Sequence, residues 1–210
     1  MSAGARPELA ALQIADPPGA WRALGFTVTD GIIAIGGVEL WLDASGRGIT
    51  GWTLRHPSLR GDIDGLPTGV TTDPPPAAVT HANGAIGIDQ VVVTTPDFDR
   101  TAAALADGDM ELRRIRDAGG FRQGFRRLGP AILELVEVPG GKPTPATPAR
   151  FWGLVVVVGD LPSLCERLAP HISEIRDAVQ PGRHIAGLRE TAGLSPRVAF
   201  MDREPPAAQP

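Results

Sequence analysis

Glu134 is a carboxylate set in an apolar run, Ala131-Ile132-Leu133-Glu134-Leu135-Val136-Glu137. The alternation predicts a strand with Ile132, Glu134 and Val136 on one face and Leu133 and Leu135 on the other. Burying an unpaired carboxylate is costly. Such a group is either paired with a nearby arginine or kept as a base with raised proton affinity, and Glu134 is a candidate for the second. Upstream, Phe121-Arg122-Gln123-Gly124-Phe125-Arg126-Arg127 alternates so that Gln123, Phe125 and Arg127 share one face and Arg122, Gly124 and Arg126 the other. An arginine turned toward a binding site would clamp an anionic substrate bidentately, and Arg122 is the candidate here, against the plainer reading of a solvated ion pair. The later stretch Pro181-Gly182-Arg183-His184-Ile185 offers Arg183 and His184 at the matching place. His184 is the best candidate for general acid or base, because imidazole titrates near neutrality. His56, His81 and His171 fall at linker or helix edges and carry no such reading.

Other chemistries are excluded. No Gly-x-Gly-x-x-Gly follows a strand, and there is no phosphate-loop lysine motif or serine nucleophile elbow. Cys165 is the single cysteine, so neither an intramolecular disulfide nor a thiolate metal cluster can form. The net charge is −4 and Lys142 is the only lysine, which argues against nucleic acid as a partner. No apolar run reaches the roughly 18 residues of a membrane span, and residues 1–8 lack the pattern of a secretory leader, so a cytoplasmic location is expected. With 42% hydrophobic and 21% charged residues, the 210-residue chain can bury a core.

The elements that must position these residues form a repeat. Proline-rich stretches at 57–85 and 139–150 read as linkers and 204–210 as a flexible tail, leaving blocks at 8–56, 86–138 and 151–203. Block two opens with the strand Ile88-Asp89-Gln90-Val91-Val92-Val93, then Asp97, a helix cap, and a helix through Leu105. Block three opens with Trp152-Gly153-Leu154-Val155-Val156-Val157-Val158, then Asp160 and a helix through Leu168. Ile115-Arg116-Asp117-Ala118 recurs as Ile175-Arg176-Asp177-Ala178, and each block ends in a strand, 131–137 and 197–201. The order is strand, helix, strand, strand, strand. Block one is a degenerate third copy: an opening strand near Leu12, a short helix at Trp21, paired strands within 31–43 and a last strand at 48–55.

On these residues the chain resembles the glyoxalase, or vicinal oxygen chelate, superfamily. Its modules begin with a Leu/Ile-Asp-His-Val strand, continue with a helix started by aspartate, and close on a strand bearing Ile-Leu-Glu. The parallels are Ile88-Asp89-Gln90-Val91, Asp97 and Ile132-Leu133-Glu134. The resemblance implies an α+β fold of repeated βαβββ modules of the glyoxalase/bleomycin-resistance/dihydroxybiphenyl-dioxygenase type. Blocks two and three pair into a cup of curved sheet, with a third N-terminal module. It also implies a site where a first-strand His and a last-strand Glu from each module hold a divalent metal. Here Gln90 takes the first His position, Glu134 the Glu, Gly153 the second His position and Met201 the second Glu. The metal pair is thus reduced to Glu134 and Gln90, and the expected cofactor is none or one divalent ion. Gln90, Gln123, Arg122 and Arg183 are expected to place the substrate, and Trp152, beside Gly153, to wall the pocket with an aromatic face. The implied activities are lyase, isomerase or dioxygenase chemistry on a small oxygenated or anionic metabolite, or sequestration of such a molecule without catalysis. An odd number of modules would leave an apolar sheet face uncovered, from which a homodimer is expected.

Overall fold

A computed structural model describes residues 6–56, 59, 61–138, 140 and 147–203. The tail at 204–210 and most of 139–146 lie outside the described residues. Strand β6 (Ala85–Thr95) leads into helix α2 (Phe98–Asp107), then β7 (Arg114–Asp117), β8 (Arg122–Leu128) and β9 (Ala131–Glu137). Strand β10 (Arg150–Val158), α3 (Leu161–Leu168), β11 (Arg176–Asp177), β12 (His184–Gly187) and β13 (Arg197–Met201) repeat the sequence of elements. Both helices start where an aspartate can satisfy an otherwise unpaired N–H: Asp97 accepts from Arg100 N and Asp160 from Ser163 N. Each lays its apolar residues on the sheet, Phe98 and Leu105 from α2, Leu161, Leu164 and Leu168 from α3.

The two units share one eight-stranded sheet, ordered β11-β12-β13-β10-β6-β9-β8-β7. Within each unit the first strand runs parallel to the last, β6 with β9 and β10 with β13, while the two first strands meet antiparallel. The expected βαβββ pair is therefore the architecture of residues 85–201.

The N-terminal part is a shortened version of the same plan. It comprises β1 (Glu8–Ile14), α1 (Pro18–Ala23), β2 (Ile32–Ile35), β3 (Val38–Trp41), β4 (Ile49–Arg55) and β5 (Thr68–Thr71). These strands form a second sheet, β2-β3-β1-β4-β5. Only two strands follow α1 before the chain returns beside β1, because β3 already lies parallel to it. Strand β4 then lies antiparallel on the far side of β1, with β5 parallel to β4. The order β3-β1-β4-β5 has the strand directions of β13-β10-β6-β9, so the small sheet is a pair of modules cut down to their centre. Strand β5 falls inside the proline-rich stretch 57–85 that was expected to be only a linker. The end of that stretch is pinned to the N-terminal part: His81 Nδ1 accepts from Thr27 N and its Nε2 lies 3.1 Å from Ala34 O, while Asn83 donates to Leu24 O; nearer its start, Asp64 accepts from Arg100 Nε of α2. Burial holds His81 below the usual imidazole range, consistent with a neutral ring that accepts on one side and donates on the other.

The small sheet covers the same face of the large sheet as α2 and α3. Phe26 stacks on Phe200 of β13 at 6.3 Å between centroids, and Trp52 of β4 meets Phe151 of β10 edge-on at 5.4 Å. At the β2–β3 turn, a Cβ on Gly36 would come within 2.6 Å of Gly87 Cα, so the close approach of the two sheets requires glycine there. Buried residues of both sheets form one continuous core. The apolar face expected to need a second chain is thus covered within this one. A loop-to-loop set of hydrogen bonds adds to the seam: Asp16 Oδ1 accepts from Ser195 N, Asp16 Oδ2 from Trp21 Nε1, and Ser195 Oγ from Gly48 N.

Candidate functional site

The other face of the large sheet is left open and forms a cup. One part, about 920 Å³, lies among Gln90, Gln123, Glu134, Arg114, Arg116 and Arg176. It runs into an apolar part of about 710 Å³ walled by Val92, Val136, Trp152, Leu154, Leu188 and Ala199. Gln90, Gln123, Glu134, Arg176 and Ile185 border both.

Strand alternation delivers Glu134 to the cup floor, since Leu133 and Leu135, its neighbours along β9, are fully buried in the core on the opposite side. Glu134 pairs across the sheet with Phe125 of β8 and, in parallel register, with Val92 of β6. Gln123 Nε2 donates to Glu134 Oε1 at 2.8 Å, and Gln123 Oε1 accepts from Arg116 Nε at 2.8 Å. Arg116 in turn lies over the Phe125 ring, 5.3 Å from its centroid. This chain fixes which end of the Gln123 amide faces the carboxylate. Burial pushes Glu134 above the ordinary carboxylate range; Arg116 works against that and Asp89 adds to it.

The register settles which positions correspond between the two units. Gln90 pairs with Ile132 and Val92 with Glu134 in one, while Val155 pairs with Ala199 and Val157 with Met201 in the other. The antiparallel pairs Gln90–Val155 and Val92–Gly153 exchange under one two-fold, so Gly153 is the counterpart of Gln90, and Ala199, paired with Val155 as Glu134 is with Val92, takes the place of Met201 as the counterpart of Glu134. The backbone at Gly153 also requires glycine. It sits at a break in the β6–β10 register, and a Cβ there would lie 2.1 Å from Arg197 O. Gly153→Ala is expected to cost about 1–3 kcal/mol through this backbone clash, measurable as a lower urea midpoint. Gly153 thus opens no pocket, yet Trp152 beside it does border the apolar part, half exposed.

The remaining sequence candidates are placed elsewhere. Arg122 lies over the Phe98 ring of α2 on the core side and is bound to Glu137 and Asp99, which raise its pKa further, so it does not reach the cup. His184 shares its face with the buried Ala186, while Ile185 and Gly187 face the cup. Its imidazole pairs with Asp202 Oδ2 at 2.7 Å on the outside. Arg183 is buried and bound to Asp89 at 2.6 Å and to Asp202 O. Of the residues picked from sequence, the structure brings Gln90, Gln123, Glu134 and Trp152 together and leaves Arg122, Arg183 and His184 outside. Three cup arginines were missed: Arg114, Arg116 and Arg176. The signal was present, since Arg116 and Arg176 occupy the same place in the recurring Ile-Arg-Asp-Ala, one on each rim. Among the described residues no three His, Cys, Asp or Glu side chains converge as a metal cluster would require.

No family model matches the chain, and no curated protein matches it. Among solved structures, a xylose isomerase-like TIM barrel/4-hydroxyphenylpyruvate dioxygenase fusion protein matches over 99% of this chain with a TM-score of 0.64 at 11% identity. This chain spans 50% of that protein's length. A methylmalonyl-CoA epimerase from Mycobacterium tuberculosis matches over 58% of this chain and 91% of its own, with 16% identity and a TM-score of 0.47. A hypothetical protein, BH1468 from Bacillus halodurans C-125, covers 58% of this chain and 97% of its own at 13% identity and a TM-score of 0.45. The full-length match and the strand order agree on one architecture: the chain has the repeated βαβββ fold of the vicinal oxygen chelate type.

Proposed function

We propose that the cup binds a small organic anion with an apolar body and moves a proton on it through Glu134, without a transition metal. The observation that carries this reading is the pairing of a buried, hydrogen-bonded Glu134 with a cup that is cationic at one end and apolar at the other. The four positions that the fold would use for a metal hold Gln90, Glu134, Gly153 and Ala199. Glu134 alone is a hard anionic donor, and one of its oxygens already accepts from Gln123. That donor set does not fit a divalent ion. A carboxylate that burial makes more basic is instead suited to take a proton from a carbon next to a carbonyl. The C–H electron pair then moves to the carbonyl oxygen, where the Gln90 amide can donate to the developing charge. Return of the proton from Glu134 to the same or a neighbouring atom completes an exchange or isomerisation.

The anionic end of the ligand faces Arg114, Arg116 and Arg176, and its apolar body lies along Val92, Val136 and Trp152. Two fluorescent probes test the binding half: 1-anilinonaphthalene-8-sulfonate, an apolar anion, and N-phenyl-1-naphthylamine, its neutral analogue. Arg116→Gln is expected to weaken the sulfonate about tenfold and leave the amine within twofold, as loss of one charge-assisted contact implies. Equal effects on both probes would remove the anion reading. A second reading, sequestration without turnover, is favoured by the half-exposed Trp152 wall. It requires tight binding with no proton exchange into the ligand.

A further inference from the structure

The apolar part of the cup does not end at its rim. Arg176, Leu188 and Arg197, which border it, also border a shallow groove with Ser173, Glu174 and Arg189. Leu188, Arg189 and Arg197 border a further hollow of about 510 Å³ that includes Arg47, Gly46 and Ser195. Beyond Arg176, which belongs to the cup, Arg197, Arg189 and Arg47 border these overlapping hollows. Among the described residues Arg47, Arg176 and Arg189 make no ion pair, although the chain carries a net charge of −4 and supplies carboxylates to Arg100, Arg113, Arg122 and Arg183. Among the described residues Arg197 is paired only with Glu190, at 2.8 Å, and both partners are more than half exposed, which makes the pair easily displaced by a stronger anion. Glu174 is the other acidic member of the track.

The track crosses the seam between the two sheets. Arg47 belongs to the β3–β4 loop of the small sheet, whereas Arg189 and Arg197 flank the β12–β13 connection of the large one. Their spacing is set by Ser195, whose hydroxyl accepts from Gly48 N and whose N–H donates to buried Asp16.

We propose that this groove binds a second, polyanionic portion of the cup's ligand, a phosphate ester or phosphoanhydride tail. The inference rests on the cup as the site of the apolar portion. Planar guanidinium forks suit phosphate oxygens, and successive arginines along a groove suit successive phosphates. The ligand is then a molecule with a small apolar, carbonyl-bearing end in the cup and a phosphorylated tail running over the seam. It also gives the truncated N-terminal sheet a direct part in binding.

The test uses the full chain and inorganic tripolyphosphate, followed by calorimetry at low ionic strength. Saturable binding is expected that weakens with added salt and drops about tenfold or more in Arg47→Gln/Arg189→Gln. The sulfonate probe should bind that double variant as it binds the wild type, and tripolyphosphate should not displace it. A naphthyl group tethered to triphosphate by a short alkyl chain should bind the wild type on the order of tenfold or more tighter than either part, an advantage lost in the double variant. Tripolyphosphate binding that is unchanged in Arg47→Gln/Arg189→Gln, or absent at low salt, would overturn the inference while leaving the cup reading intact. Displacement of the sulfonate by tripolyphosphate would place the phosphate in the cup and overturn it equally. Failure of the sulfonate to bind at all would instead strike the cup.

Discussion

Arg183→Met is expected to destabilise the chain by roughly 3–5 kcal/mol, the usual cost of leaving a buried charge without its partner. Arg183 and Asp89 are nearly excluded from solvent, at 8% and 12% side-chain exposure, so screening offers little relief. The arginine donates to Asp89 Oδ1 at 2.6 Å and uses Nε and Nη2 on Asp202 O, fixing the β11–β12 turn to the end of β13 and to β6. Among the described residues Asp89 Oδ2 has no hydrogen-bond partner and Arg183 is the only side-chain cation paired with the carboxylate, so removing Arg183 would strip it of that cation. Adding Asp89→Asn to Arg183→Met should recover most of the loss, because the double change removes both charges. Urea titration of the two variants measures this. A single-variant loss under about 1 kcal/mol would mean that the pair is far better hydrated than its burial implies.

Glu134→Gln is expected to lower proton exchange by about 10²–10⁴-fold, the range for a positioned base. A suitable probe is 2-oxo-4-phenylbutanoate, which has an apolar body, a carboxylate and acidic hydrogens beside a carbonyl. Deuterium entering C3 from D₂O, followed by NMR, reports the step. Binding of the probe should survive, since the Gln side chain keeps the shape and can still accept from Gln123. Catalysed exchange that persists in the variant would remove Glu134 as the base, and tight binding with no exchange in the wild type would favour sequestration. The pH dependence follows from the direction of the shift. Burial raises the Glu134 pKa, so the base form, and with it exchange, should appear at higher pH than for an ordinary glutamate. For stability, the folded state favours the protonated acid. That contribution is present below the ordinary glutamate value and is lost as pH rises through the raised one. Above that window Glu134→Gln should be the more stable protein.

The repeat was legible because its marks are local. An aspartate before each helix and β-branched runs before each aspartate are imposed by capping and by strand packing, and both appear in the structure at Asp97 and Asp160. Glu134 and Gln90 were legible for a related reason: period-two alternation decides faces without knowledge of partners. The assignments that moved depend on long-range register. Met201 was matched to Glu134 by the simplest alignment of the closing strands, but the parallel pairs Val92–Glu134 and Val155–Ala199 put Ala199 at that place. His184 and Arg122 were judged by residue type. Only the sheet shows that these side chains turn away from the cup, held by Asp202 and by Glu137 and Asp99. Strand β5 was hidden because its Thr68-Gly69-Val70-Thr71 is short, sits among prolines and shows no apolar alternation of its own, gaining its place by parallel pairing with β4.

The large sheet has all the strands of a complete pair of modules, which makes residues 85–201 look separable. The seam says otherwise. Phe200, Val91, Val93 and Trp52 belong to one uninterrupted core, and the Asp16–Ser195–Gly48 bonds tie the cup's outer loop to the opposite half. Topological completeness and thermodynamic independence therefore part company here. The chain should melt in a single cooperative transition, and a fragment beginning near residue 85 would carry a finished strand order over an unfinished interior.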